Sequence, residues 1–205
     1  MRTQPTLILT APPAASGPDE AMDRFHPLLH ALPHLLHSKL PLLLVCDEAT
    51  ATLAQSVLNR DDMLTIAFRS RHPADQQVEA MVEGLLARPH APSWLLVPGG
   101  MPRLQPSTIE AIASALSRYP LAYAEYHQQS GMPLGFSSEL FSELIHLSCY
   151  RDLERLRARY PAHAVEVDDP GVLMDPVRAQ LSPEFSNAGA GPPSAGNGLP
   201  GLPRY

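Results

Sequence analysis

Lysine is nearly missing from this chain of 205 residues: Lys39 is the only one, and arginine supplies the rest of the 15 formal cations. A phosphate funnel built on lysine is thereby excluded, whereas single arginine contacts to phosphate are not. Positive charge is also short overall. Against 21 acids it leaves a net charge of -6, the opposite of the basic face that nucleic-acid binding demands. Cysteine is scarce too: Cys46 and Cys149 lie far apart, form no metal-type spacing, and read as inert thiols of a reducing compartment. No apolar run approaches the roughly 20 residues of a membrane helix. Thr6–Thr10 is too short, and too soon followed by prolines and acids, to be the core of a secretion signal. The expectation is a soluble, cytoplasmic protein with no membrane or nucleic-acid partner.

What the chain does contain is enough apolar residue, 44%, for one α/β domain with a full core. The organising stretch is Ser93–Tyr119. Trp94-Leu95-Leu96-Val97 has the length of a buried strand, Pro98-Gly99-Gly100 ends it, and Pro106 opens a helix that buries Ile109, Ile112, Ala113 and Leu116. Gly99 and Gly100 allow positive φ or the close approach of a ligand. A strand, a turn and a helix make half a unit of an open α/β sheet, whose ligands sit beyond the carboxyl ends of the strands. Pro98, Gly99, Gly100, Met101, Pro102 and Arg103 should therefore line a site.

The same alternation runs through the chain. Thr6–Thr10, Leu40–Cys46, Met63–Phe68, Leu121–Tyr126 and Ala164–Val167 read as further strands. Helices are expected over Asp47–Asn59, Pro73–Ala87, Ser137–Leu147 with a serine cap, and Arg151–Tyr160. His127–Gly131 reads as a polar loop. Such strands alternating with helices imply a doubly wound, mostly parallel sheet with helices on both faces. After the first strand, Pro12, Pro13 and Pro18 forbid regular structure, leaving a loop that either covers a ligand or only decorates the surface. Asp19–Ser38 should be helical in parts and broken near Pro27 and Pro33. Its His26, His30, His34 and His37 share one face. A metal could use an i, i+4 pair, but no acid or cysteine completes a ligand set nearby, and a solvated polar face is the simpler reading. From Ser182 to Tyr205, Pro, Gly, Ser and Ala dominate, which divides the chain into a domain over 1–181 and a flexible tail over 182–205.

Three segments carry a family likeness: Leu95-Leu96-Val97-Pro98-Gly99-Gly100-Met101-Pro102, Gly131-Met132-Pro133-Leu134-Gly135-Phe136, and Tyr160 through Asp175. Together they resemble the molybdenum-cofactor nucleotidyltransferase family (MobA/MocA-like NTP transferase domains), particularly its cytidylyltransferase-like branch, over about Thr6 to Gln180. The resemblance implies a nucleotide-diphospho-sugar-transferase-like Rossmann variant that binds a nucleoside triphosphate and Mg²⁺ and transfers a nucleotidyl group to a phosphate or pterin-phosphate acceptor. It implies nucleotide contacts at Thr10, Ala11, Arg24, Pro98, Gly99, Gly100, Met101, Pro102 and Gly131. It also places a metal on Asp175, which as a lone acid could equally cap a turn.

The substitutions fall where the chemistry would be. The family's first strand typically opens into Leu-Ala-Ala-Gly; here Leu9-Thr10-Ala11-Pro12 follows, and Pro12 removes an N–H and forbids positive φ. Gly100 stands where the family has the metal-binding aspartate, and Val177 where it has a second acid near Asp175. Mg²⁺ needs hard oxygen ligands, usually one or two carboxylates plus phosphates. The expected function is therefore that of a nucleotidyltransferase-like protein with impaired or lost catalysis and a binding or accessory role in molybdoenzyme maturation. Its partners would be a nucleotide or molybdopterin-type molecule and a molybdoenzyme or maturation factor. The alternative is an active Mg-dependent transferase with ligands relocated to Asp175, Asp152 or Asp169 and with Arg24 or Arg103 on phosphate.

Overall fold

The computed structural model describes residues 4–11 and 18–175, and the side chains among them except those of 18–26. Seven strands form one sheet: β1 (Thr6–Ala11), β2 (Leu42–Cys46), β3 (Met63–Thr65), β4 (Ser93–Pro98), β5 (Leu121–Tyr126), β6 (Gln129–Ser137) and β7 (Ala162–Glu166). Their order is β3-β2-β1-β4-β6-β5-β7, and only β6 runs against the others among the described residues. The doubly wound, mostly parallel architecture read from the alternation is thus the one observed. The three central strands β1, β2 and β4 are buried along almost their whole length. Helices cover both their faces, so they read as unbroken apolar runs rather than alternating ones.

On one face lie α1 (Pro18–His37), α2 (Glu48–Ala54) and α4 (Pro106–Ala115), packed through Leu28, Leu32, Leu35, Ala51, Ile109 and Ile112 onto Leu7, Leu9, Leu95 and Val97. On the other lie α3 (Pro73–Ala87), α5 (Phe141–Leu144) and α6 (Tyr150–Arg159), packed through Val78, Met81, Leu85, Leu144, Leu153 and Leu156 onto Ile8, Val45, Trp94, Leu96 and Phe136.

Several sequence expectations need correction. The stretch His127–Gly131 is no loop: His127 and Gln128, at φ 49° and 63°, form a two-residue turn into the nine-residue strand β6. Both turn residues lie in the left-handed region that primed hairpin turns require, without the Asn-Gly or Asp-Gly that would announce one. β6 itself contains Gly131, Pro133 and Gly135, all poor strand formers. Pro133 is accommodated because its pairing with β5 slips there, between Tyr123 and Glu125, where no ladder donor is needed.

α1 runs through Pro27 and Pro33 without a break in its assignment. Each internal proline forfeits a hydrogen bond and costs about 3 kcal/mol. Against that, Leu28, Ala31, Leu32 and Leu35 are at most 2% exposed, an apolar stripe of the size that offsets such a cost. His30, His34 and His37 lie on its exposed side. The expected strand to Phe68 stops at Thr65, the expected helix to Tyr119 stops at Ala115, and the expected helix 137–147 is a 3-10 turn followed by one turn of α5, with no serine side-chain cap. The loop 12–17, the side chains of Arg24 and His26, and the tail 182–205 lie outside the described residues.

Candidate functional site

In an open α/β sheet the site is sought beyond the carboxyl ends of the parallel strands, here where β1 ends at Ala11, β4 at Pro98 and β7 at Glu166. β6, running the other way, begins at this same edge. Three of the resemblance's contact regions, 10–11, 98–102 and 131, are therefore brought together.

Their backbone is already closely knit. Thr10 pairs with Pro98 in register, and the Gly99 N–H donates to the Thr10 carbonyl at 2.8 Å, extending the β1–β4 ladder by one residue. A side chain at 99 would come within 3.1 Å of that same carbonyl. Glycine at 99 thus serves chain-to-chain packing, and its N–H is engaged by protein. Gly100 and Pro102 are half-buried at the rim, and Arg103 is exposed. Met101 and Leu104 are 1% exposed and plug the core beneath. The Thr10 hydroxyl is wholly buried and has no hydrogen-bond partner among the described residues.

Behind the β4 loop, a 3-10 turn over Pro170–Leu173 returns from β7. Asp169, 2% exposed, holds it there. One carboxylate oxygen accepts the Gly171 N–H at 2.9 Å; the other accepts the Gln105 N–H at 2.9 Å and the Thr108 hydroxyl at 2.7 Å. Asp169 thus caps the returning turn and ties it to the start of α4. The fit allows no Cβ at two glycines. A Cβ on Gly171 would meet the Arg103 carbonyl oxygen at 2.5 Å, and one on Gly131 would meet that of Val172 at 2.4 Å. A pocket of about 390 Å³ opens beside this clasp, lined by Gln105, Ser107, Thr108, Val167, Asp168 and Asp169. A pocket of about 530 Å³ lies between α6 and residues 142–147, and no strand residue lines it.

These engagements decide which acids can meet a metal. Asp169 was a candidate ligand from sequence, but both its oxygens face protein donors. Asp152 sits on the first turn of α6, where Ser148 donates to it through N–H and hydroxyl, holding its carboxyl below the usual range, and Arg155 pairs with it at 3.4 Å. Asp175, 9% exposed, follows the clasped turn and lies close enough to Tyr150 for its charge to act on the phenol. Burial is the chief force pushing Tyr150 up to about 12. The Glu154 charge adds to the shift, Arg157 opposes it, and Asp175 contributes a further rise. Arg157 is held at 2.8 Å by Glu154 and lies over the Tyr123 ring. Among the described residues no three His, Cys, Asp or Glu side chains come together as a metal site, so the described donor set does not by itself hold Mg²⁺.

Sequence reasoning missed the clasp and the orphaned Thr10 hydroxyl. The signal for the first was legible: Asp169-Pro170 is a cap followed by proline at the first helical position. For the second there was none.

The family model of the MobA-like NTP transferase domain matches residues 26–165, more than half of the chain. No curated protein sequence matches. Among solved structures, Rv0371c from Mycobacterium tuberculosis H37Rv superposes with a TM-score of 0.64 at 21% identity, over 82% of this chain and 89% of that one. It has also been solved as a complex with manganese. A 4-diphosphocytidyl-2C-methyl-D-erythritol synthase from Anaerococcus prevotii gives 0.63 at 12% identity, over 84% and 90%. A nucleotidyl transferase from Methanothermobacter thermautotrophicus gives 0.60 at 14%, over 82% and 88%. At these identities the likeness is one of fold.

Proposed function

This chain belongs to the MobA-like NTP transferase domain family, and from that premise we propose that it binds a nucleotide, or the nucleotide part of a molybdopterin-type cofactor, at the carboxyl edge of β1 and β4 without efficient nucleotidyl transfer. Its role is then to hold or hand on such a molecule during molybdoenzyme maturation. The observation that carries this reading is the commitment of the carboxylates. Asp169 and Asp152 are engaged by protein donors, Gly100 offers no carboxylate, and no group of three or more His, Cys, Asp or Glu that could hold a metal occurs among the described residues. Nucleotidyl transfer draws much of its charge stabilisation from a metal bridging the phosphates. A site without such a group holds that metal weakly, so turnover drops by orders of magnitude while contacts to base and sugar persist.

The buried Asp175 favours one rival: a transferase that works with a single protein carboxylate and the triphosphate's own oxygens. Calorimetric titration with CTP, GTP and ATP, with and without Mg²⁺, separates the two when run beside a pyrophosphate-release assay. Binding that changes little on adding Mg²⁺, with no pyrophosphate release, is the expected result. Mg²⁺-dependent pyrophosphate release abolished by Asp175→Asn would establish the rival. Absence of binding by all three nucleotides would remove both.

A further inference from the structure

The sheet ends at β3 on one side and at β7 on the other, and the two edges are not alike. Unpaired N–H and C=O groups at an edge template further strands, so proteins shorten, charge, bend or cover such edges. β3 follows that rule: it is three residues long, and Arg88 at the end of α3 donates to the Asp61 carbonyl beside it at 2.6 Å. β7 does not. Its Ala162-His163-Ala164-Val165-Glu166 contains no proline, lysine or arginine, and it pairs with β5 without a bulge.

The register shows what this edge offers. The Val167 N–H donates to the Glu125 carbonyl at 2.9 Å, and bonding alternates along a strand, so Val165 and His163 also bond to β5. Ala162, Ala164 and Glu166 therefore turn their N–H and C=O groups outward, where none of the described residues meets them. Ala162 and Glu166 are exposed. Beside them Tyr119, 38% exposed, stacks on the His163 ring with centroids 3.9 Å apart, an aromatic surface at the rim. Charge is divided along the strand. Arg159, 62% exposed and paired with Glu143, stands at its entry, while the exposed Glu166 and Asp168 stand at its exit.

We propose that this edge binds a second copy of the chain, β7 against β7, antiparallel about a twofold axis at Ala164. That register pairs Ala164 with its own equivalent and Ala162 with Glu166, so every outward residue exchanges both hydrogen bonds with a partner. A slip of one residue would set outward groups against inward ones. On the other face of the strand, Val165 of the second copy comes beside His163 and covers its stack with Tyr119. The basic entry of each strand meets the acidic exit of the other, whereas parallel pairing would set like charge beside like. The contact is isologous and closes at two copies. β6 and β5 separate β7 from β1 and β4, so the dimer leaves the proposed nucleotide site open.

Sedimentation equilibrium of the full chain should show a monomer–dimer equilibrium between about 1 and 100 μM, as a modest interface gives. Ala164→Pro removes the outward donor at the axis and keeps every bond to β5. It should weaken the dimer at least about tenfold. Ala164→Lys should do the same without a proline, by setting two cations at the axis. Ala164→Cys places its Cα atoms about 5.5 Å apart across the axis, within disulfide reach, and should give a linked dimer on mild oxidation. Ala162→Cys, whose equivalents stand about 13 Å apart, should not. A chain that stays monomeric to about 100 μM overturns the proposal; slow deuterium exchange at the Ala164 and Glu166 amides of that monomer would assign the edge to another part of the chain. A dimer of unchanged strength in both Ala164→Pro and Ala164→Lys, or one that crosslinks through Ala162→Cys instead, also overturns it by placing the contact elsewhere.

Discussion

At the scale of single residues, this protein is defined by where polar groups are committed. Asp169 and Thr10 are equally buried, yet one is saturated by three donors and the other has no partner among the described residues. Tyr150 gives a titration to check. Its unfolded phenol ionises near 10, whereas burial and the neighbouring Glu154 push the folded group up to about 12. Between those values the unfolded chain sheds its proton first, so stability falls as pH rises through the window, by about 1 kcal/mol per unit or less. Tyr150→Phe should remove that part of the alkaline slope in urea unfolding series run from pH 9 to 12. An unchanged slope would mean that the phenol is better solvated than its surroundings suggest.

Among elements, the one that organises the edge is the turn returning from β7, joined by Asp169 to a helix some sixty residues earlier in the chain. Asp169→Ala would orphan two backbone N–H groups and a buried hydroxyl. A loss of about 2–4 kcal/mol is expected in urea unfolding, with Thr108→Ala costing less because only one donor is withdrawn. Equal losses in the two variants would place the strength of the clasp in the single Thr108 bond. The elements also differ in how legible they were. β1, β2 and β4 stood out because central parallel strands are apolar on both faces. β6 did not, since Gly131, Pro133 and Gly135 each argue locally against a strand. It forms because β4 and β5 offer it two sides to pair with, and a slip in register takes the proline. α1 is the converse case, where two prolines argued for a break and an apolar stripe kept the helix whole.

For the molecule as a whole, two apolar layers share one sheet, and Trp94, the only tryptophan, sits 1% exposed within it. Its ring stacks on Phe141 and its N–H donates to the Arg88 carbonyl at 3.0 Å. Because β4 pairs with both β1 and β6, Trp94 fluorescence should report the melting of the entire sheet. Its unfolding curve in urea should coincide with that of far-UV circular dichroism, as a single cooperative unit requires. Separated midpoints would divide the β1–β3 half from the β5–β7 half.

The sequence by itself determined the alternation of strands and helices and the parallel core, because both are written within a dozen neighbouring residues. Only the tertiary structure decided that β6 is a strand and that both oxygens of Asp169 are taken up in holding the edge together. Those outcomes depend on which groups meet after the chain returns. Asp169 finds Gln105 and Thr108 from 64 and 61 residues away, and no local pattern of hydrophobicity specifies a hydrogen-bond partner at that distance.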